Sequence, residues 1–204
     1  MKADLRNTLV VNFKTYAEAT GRKALELAKV CDEVAKETGA NIVVAVQASD
    51  IGKISETVDI KVFAQHIDAV KYGSSTGWIL PEAVVEAGAV GTLISHSERK
   101  LMLDKIKPRI DRANEVGLTT IVCSGKETND ETIEESMAIA QLRPDYIAAE
   151  PPEMIGGDIS VTTRPELILA FVDAVKKANP KVGVLTGAGV KTGLDVADAI
   201  KLGT

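Results

Sequence analysis

Short runs of aliphatic and β-branched residues alternate along this chain with longer stretches whose apolar positions recur at helical spacing. The short runs predict strands at Leu9–Phe13, Ile42–Val46, Val62–Gln65, Gly91–Ile94, Thr119–Val122, Tyr146–Ala149 and Val182–Thr186. The longer stretches predict helices over Arg22–Thr38, Pro81–Ala87, Asp104–Val116, Asp130–Ala140, Pro165–Lys177 and Gly193–Lys201, with a weaker pattern around Ile51–Val58. Arg22–Thr38 is the clearest, with Ala24, Leu27, Ala28, Cys31, Val34 and Ala35 on one face. Pro81 and Pro165 fit a first helical turn, where the missing N–H costs nothing. Gly39, Gly88 and Gly117 follow helices, where a left-handed cap is expected.

Regular strand–helix alternation implies α/β class, with a parallel sheet and right-handed crossovers. Two architectures satisfy it: an open doubly wound sheet and a closed eight-stranded barrel. Seven strand–helix units are legible, and the sequence given stops at Gly203–Thr204, where an eighth strand would begin. A closed barrel needs that strand and an open sheet does not. No linker, low-complexity tract or charge run marks a boundary, so residues 1–204 are expected to form a single domain.

Composition narrows the class. A chain of 204 residues suits one well-buried domain. Aromatic residues are only 3% of it, so the core must be aliphatic, as in parallel strands buried on both faces. The net charge of −5 with no basic cluster argues against nucleic acid. No stretch approaches the ~20 apolar residues of a membrane span. Met1 to Thr8 does not read as a secretion signal, so a cytoplasmic location is expected. Cys31 and Cys123 have no CxxC spacing and read as buried free thiols. Two His and two Cys argue against a multi-ligand zinc site.

In such folds ligands bind at the carboxyl ends of the strands. Asn12 and Lys14 end the first strand two residues apart, on one face, and would suit an anionic substrate; a solvated lysine is the plainer reading. The fourth strand ends in Ser95-His96-Ser97-Glu98-Arg99. A short helix starting there would disfavour a charged imidazole, leaving a neutral donor for a carbonyl oxygen. The sixth ends in Glu150-Pro151-Pro152-Glu153, followed by Met154-Ile155-Gly156-Gly157-Asp158. Partial burial would raise the Glu150 pKa and make it a better base. The prolines and glycines have the build of a lid on two hinges, or of an ordinary proline-punctuated turn. The small residues Gly187, Ala188 and Gly189 after the seventh strand would let backbone N–H groups approach an anion.

Taken in order, Val11-Asn12-Phe13-Lys14-Thr15-Tyr16, Ala64-Gln65-His66, Thr76-Gly77, His96-Ser97-Glu98-Arg99, Glu150-Pro151-Pro152-Glu153 and Gly187-Ala188-Gly189 resemble the triosephosphate isomerase family over essentially the whole chain. The compact spacing is similar to that of its short archaeal members. The resemblance implies a (β/α)8 barrel of which seven units are present here. It implies a glycolytic and gluconeogenic aldose–ketose isomerase, acting on a small phosphorylated triose without metal or organic cofactor. It implies catalytic roles for Glu150 as the base, His96 as a neutral electrophile and Lys14 as the stabilising charge. Asn12 would help position the substrate, and Glu98 would support the site by pairing with Lys14. Ile155 and Gly156 in the lid, with Gly187, Ala188 and Gly189, would hold the phosphate. A further phosphate turn belongs after an eighth strand, beyond Thr204. A cytoplasmic homo-oligomer, dimer or tetramer, is implied as well.

Several positions depart from the family pattern. Asp158 stands in the lid tip and is expected to point outward, away from a phosphate. Trp78, in a loop that reaches a neighbouring subunit in the family, is either an interface anchor or a cover for local apolar surface. Two other readings compete: a non-catalytic truncated barrel or scaffold, and a barrel isomerase acting on another phosphosugar. An intact mass near that of 204 residues, without activity, would favour the remnant.

Overall fold

The computed structural model describes residues 2–150, 161–187 and 189–204. Its strands are β1 (Thr8–Asn12), β2 (Asn41–Val46), β3 (Lys61–Ala64), β4 (Gly91–Ile94), β5 (Thr119–Ser124), β6 (Tyr146–Ala149) and β7 (Gly183–Thr186). Its helices are α1 (Arg22–Thr38), α2 (Ile51–Ser55), α3 (Pro81–Glu86), α4 (Leu103–Glu115), α5 (Asn129–Gln141), α6 (Pro165–Ala178) and α7 (Gly193–Lys201). Every expected strand is present, its ends shifted by at most two residues.

The strand order decides between the two architectures. The sheet runs β1-β2-β3-β4-β5-β6-β7, in the order of the sequence. A doubly wound sheet reverses its order at a switch point, and this one does not. It is the strand order of a (β/α) barrel, with seven strands among the described residues.

One element is shorter than the pattern suggests. The apolar spacing carries a helix to Val58, yet α2 stops at Ser55. Thr57 reaches back only three residues, to the Ile54 carbonyl, and the Ser55 hydroxyl bonds the Ala87 carbonyl. Val58 is buried, so its apolar signal reports the core and not a helix. The three glycine caps are as expected: Gly39, Gly88 and Gly117 have φ of 71°, 99° and 81°.

Contacts divide the chain into two compact units. The first comprises Met1–Ile94 and Asp111–Thr120, the second Ser95–Ile110 and Ile121–Thr204. In the first, Phe13, Val44, Val46, Val62, Ala64 and Ile67 from the strands and their ends pack against Ala24, Leu25 and Ala28 of α1 and Ile51 and Ile54 of α2. This is the aliphatic core that the scarcity of aromatics requires. Parallel register sets Asn12 level with Ala45, and Val46 with Ala64. Phe63 and Gly91 are register partners, and a Cβ at Gly91 would lie 2.3 Å from the Phe63 ring. The glycine makes room for the ring. Cys31 packs partly buried against this core, and both cysteines are free.

The second unit repeats the device: Tyr146 and Gly183 are register partners, and a Cβ at Gly183 would lie 2.3 Å from the Tyr146 ring. Its strands end in one row, Ser124 level with Ala149 and Ala149 with Thr186. Leu167 and Phe171 of α6 pack on Ala149. Val161 and Ile168 form a second cluster with Val172, Val190 and Leu202. Among the described residues no helix is long and apolar enough to cross a membrane.

A buried carboxylate ties α1 to the approach of β3. Asp32 is 6% exposed. Its Oδ1 accepts the backbone N–H groups of Asp59 (3.0 Å) and Ile60 (3.1 Å), and its Oδ2 accepts Lys36 Nζ at 2.7 Å. Burial pushes its carboxyl upward, but the lysine and the two N–H groups outweigh it and hold it below the usual range. Asp32→Ala would orphan both N–H groups and should cost about 2–3 kcal/mol in urea unfolding at neutral pH. A depressed carboxyl stabilises at pH values above its unfolded pKa, and that contribution fades as pH falls through its folded one. The gap between wild type and Asp32→Ala should therefore narrow on acidification from about pH 4. An unchanged gap would contradict this account.

Candidate active site

The end of β1 is held in an unusual conformation. Lys14 has φ of +50°, in the left-handed region that side-chain-bearing residues rarely occupy. Its N–H donates to Asn12 Oδ1 at 3.0 Å. Its carbonyl accepts Gln65 Nε2 at 2.8 Å, and the same amide lies 3.3 Å from Asn12 Oδ1 and from the Ala45 carbonyl. Strain of this kind persists only where surrounding bonds over-determine it, and it concentrates at functional sites. Asn12, expected to position a substrate, uses its side-chain oxygen to position Lys14. Gln65, in the Ala64-Gln65-His66 run, takes part as well. An amide directly after a buried strand was the available signal. The Lys14 ammonium lies 5.9 Å from the centre of the Tyr16 ring.

The end of β4 makes its turn at Ser95, with φ of +61°. A short 3₁₀ turn, Ser97–Arg99, follows as expected, with His96 as its N-cap. The His96 Nδ1 accepts the Glu98 backbone N–H at 3.3 Å. A nitrogen that accepts from an N–H carries no proton, so the neutral ring keeps its proton on Nε2. That Nε2 stands 3.2 Å from Glu150 Oε1. The second carboxylate oxygen of Glu150 accepts the Ser97 N–H at 3.3 Å. The Glu98 carboxylate lies 3.5 Å from Nδ1. His96 and Glu150 are thus brought together, each side chain less than one-fifth exposed.

The expectation of a raised Glu150 pKa is corrected. Burial does push this carboxyl upward, but the hydrogen bonds from His96 and from the Ser97 N–H outweigh it and hold it below the usual carboxylate range. Sequence alone gave the burial and not the partners. Beneath it the Cys123 thiol is fully buried and is pushed well up, by burial first and by the Glu150 charge second.

After β7, the Gly187 N–H reaches the Ala149 carbonyl at 3.4 Å, and Gly189 has φ of +67°, a turn that favours glycine. Ala188, and the lid positions Pro151, Pro152, Ile155, Gly156 and Asp158, lie outside the described residues. Trp78, in the first unit, is 56% exposed, which disfavours its covering local apolar surface. Among the described residues no group of three or more His, Cys, Asp or Glu could hold a metal ion.

An imidazole N–H beside a buried carboxylate can polarise a carbonyl while the carboxylate takes a proton from the adjacent carbon. Comparison with known proteins gives the family. The family model described as triosephosphate isomerase matches residues 7–203. The triosephosphate isomerase of Methanothermobacter thermautotrophicus is 49% identical over 98% of this chain and 86% of its own length. That of Methanobacterium bryantii is 51% identical over 96% of this chain and 84% of its own. That of Methanocaldococcus jannaschii is 47% identical over 96% and 87%. With a carboxylate and an imidazole paired at the ends of β6 and β4, and a family match over residues 7–203, the chain belongs to the triosephosphate isomerase family.

Proposed function

We propose that this chain interconverts dihydroxyacetone phosphate and glyceraldehyde phosphate through an enediol(ate), with Glu150 moving the proton, His96 donating to the oxygens and Lys14 supplying positive charge. The observation that carries the reading is the Glu98 N–H on His96 Nδ1, which leaves Nε2–H as a donor beside the Glu150 carboxylate.

The depressed Glu150 carboxyl fits this chemistry. In the free protein His96 and Glu150 satisfy each other. A substrate carbonyl would take the Nε2–H in place of the carboxylate. Glu150 would then lose the largest of the contacts that hold its pKa down and keep the burial that raises it, becoming a stronger base when the substrate arrives. One proton passes from a substrate carbon to Glu150 and returns to the neighbouring carbon, and the hydroxyl proton passes to the former carbonyl oxygen by way of His96, so nothing is consumed and no external redox partner is required. Asn12 and Gln65 hold the backbone from which Lys14 extends. Gly187 and Gly189 would take the phosphate with Ala188, Ile155 and Gly156. Cytoplasmic location and a homo-oligomer with Trp78 at its interface complete the proposal; the family resemblance and the exposure of that indole support them.

A coupled assay offering glyceraldehyde phosphate tests the reading. Conversion that saturates with substrate, at a kcat of at least ~1 s⁻¹, is expected. Absence of conversion by the well-folded protein would overturn it.

A further inference from the structure

One buried carboxylate outside the His96–Glu150 pair bonds the segments next to both of its members. Glu135 of α5 has a side chain only 7% exposed. Its Oε2 accepts Lys100 Nζ at 2.8 Å and the Gly125 N–H at 2.9 Å, and Lys126 Nζ lies 3.7 Å from its Oε1. Lys100 also donates to the Cys123 carbonyl at 3.2 Å. Enclosing a carboxylate is costly unless it is paired and hydrogen-bonded, and these partners meet that need.

The two closest contacts lead to the pair from opposite sides. Lys100 belongs to the loop that carries His96. Ser95 Oγ accepts the Leu101 N–H at 3.0 Å, and the Arg99 N–H bonds the His96 carbonyl at 2.8 Å. The loop is thereby closed on itself, and the Lys100 side chain fastens it to α5 and β5. Gly125 leads to Glu150. The Glu150 N–H donates to the Ser124 carbonyl at 2.9 Å, and a Cβ on Gly125 would stand 3.0 Å from the Glu150 carbonyl oxygen. Gly125 therefore lies flat against the Glu150 backbone while Glu135 holds its N–H.

We infer that the Lys100–Glu135 ion pair is a positioning device: it sets the distance between His96 Nε2 and the Glu150 carboxylate by anchoring the loop of one and the backbone support of the other. Glu135 and Lys100 act through Gly125 and the 95–101 segment. The inference rests on the proposed partnership of His96 and Glu150 and deepens it.

Lys100→Met alone leaves the buried Glu135 carboxylate with only the longer Lys126 contact as an ion pair and can fail to fold. The double variant Lys100→Met/Glu135→Gln removes both charges and keeps an acceptor for Gly125. Lys100→Arg is the conservative control. His66 and His96 are the two histidines of the chain, so imidazole ¹⁵N spectra resolve both. In the full wild-type chain the two ring nitrogens of His96 should be far apart in shift, one accepting and one protonated. In the double variant they should converge while those of His66 stay in place. The kcat for the triose phosphate should fall roughly ten- to a hundredfold with KM changed less than about threefold. Lys100→Arg should restore most of both. A folded double variant with wild-type His96 shifts and kcat would overturn the inference, and so would His66 shifts that move as far as those of His96. A wild type without isomerase activity would defeat the functional reading, and the imidazole spectra would still decide the positioning role.

Discussion

Glu150→Gln should lower kcat by about 10³- to 10⁴-fold while leaving KM within a few-fold of wild type. The amide keeps an oxygen to accept the Ser97 N–H and a group of the same size beside His96, so the site keeps its shape. What it loses is the capacity to bind and release a proton. Circular dichroism should be unchanged, because the Ser97 N–H keeps an oxygen acceptor in the amide. The Glu150 backbone holds Ser124 whatever its side chain is. A loss confined to KM would mean that Glu150 binds substrate and does not transfer its proton.

His96→Ala should produce the next largest loss, on the order of 10²- to 10³-fold in kcat, the usual cost of removing one donor to a developing oxyanion. It carries a second, independent signature. His96 heads the influences that hold the Glu150 carboxyl down against its burial. Without the imidazole, burial remains with the Ser97 N–H as the main counterweight, and the Glu150 pKa should rise. A carbon-detected titration of the Glu150 side chain reads this directly. In the variant the carboxyl should take up its proton at a higher pH than in the wild type. An unchanged titration would show that the 3.2 Å contact contributes nothing to the charge state of the base.

Most of the fold is legible in the chain because its elements obey simple periods. Arg22–Thr38 has a clean helical stripe and a glycine stop, and α1 has those ends. Val58 shows the limit of the method: a buried residue just past a short helix looks like one more turn of it. The choice between open sheet and barrel depends on strand order, a long-range property that no local pattern carries. The site was legible to the same degree. His96 and Glu150 stand at strand ends, and their types and positions announce chemistry. Their pairing does not, since 53 residues separate them. The Glu150 pKa went the other way from the expectation for this reason: burial follows from neighbours in sequence, and hydrogen-bond partners do not. Gln65 and Glu135 were missed on similar grounds. Glu135 lies among the acidic residues of a polar-looking helix, where a charged side chain reads as solvated, and only its contacts with Lys100 and Gly125 reveal it as enclosed.

The positive φ of Lys14 and of Ser95 gives the two strand ends a common feature. Each carries or precedes a residue assigned to the chemistry, and each is held by a side-chain bond to a neighbouring backbone group: Asn12 for Lys14, and the Ser95 hydroxyl with Leu101. Such strain costs on the order of 1–3 kcal/mol per residue and is retained where it fixes a side chain that must not wander.

The central claim is that Glu150 moves a proton between adjacent carbons of a triose phosphate. It is tested most directly by converting dihydroxyacetone phosphate in deuterium oxide and reading the product by proton NMR. A glutamate that picks up the proton can exchange it with solvent before returning it, so glyceraldehyde phosphate should carry deuterium at the carbon next to its carbonyl, and Glu150→Gln should yield almost no product. Product formed at an undiminished rate by Glu150→Gln, with or without deuterium at that carbon, would contradict the account.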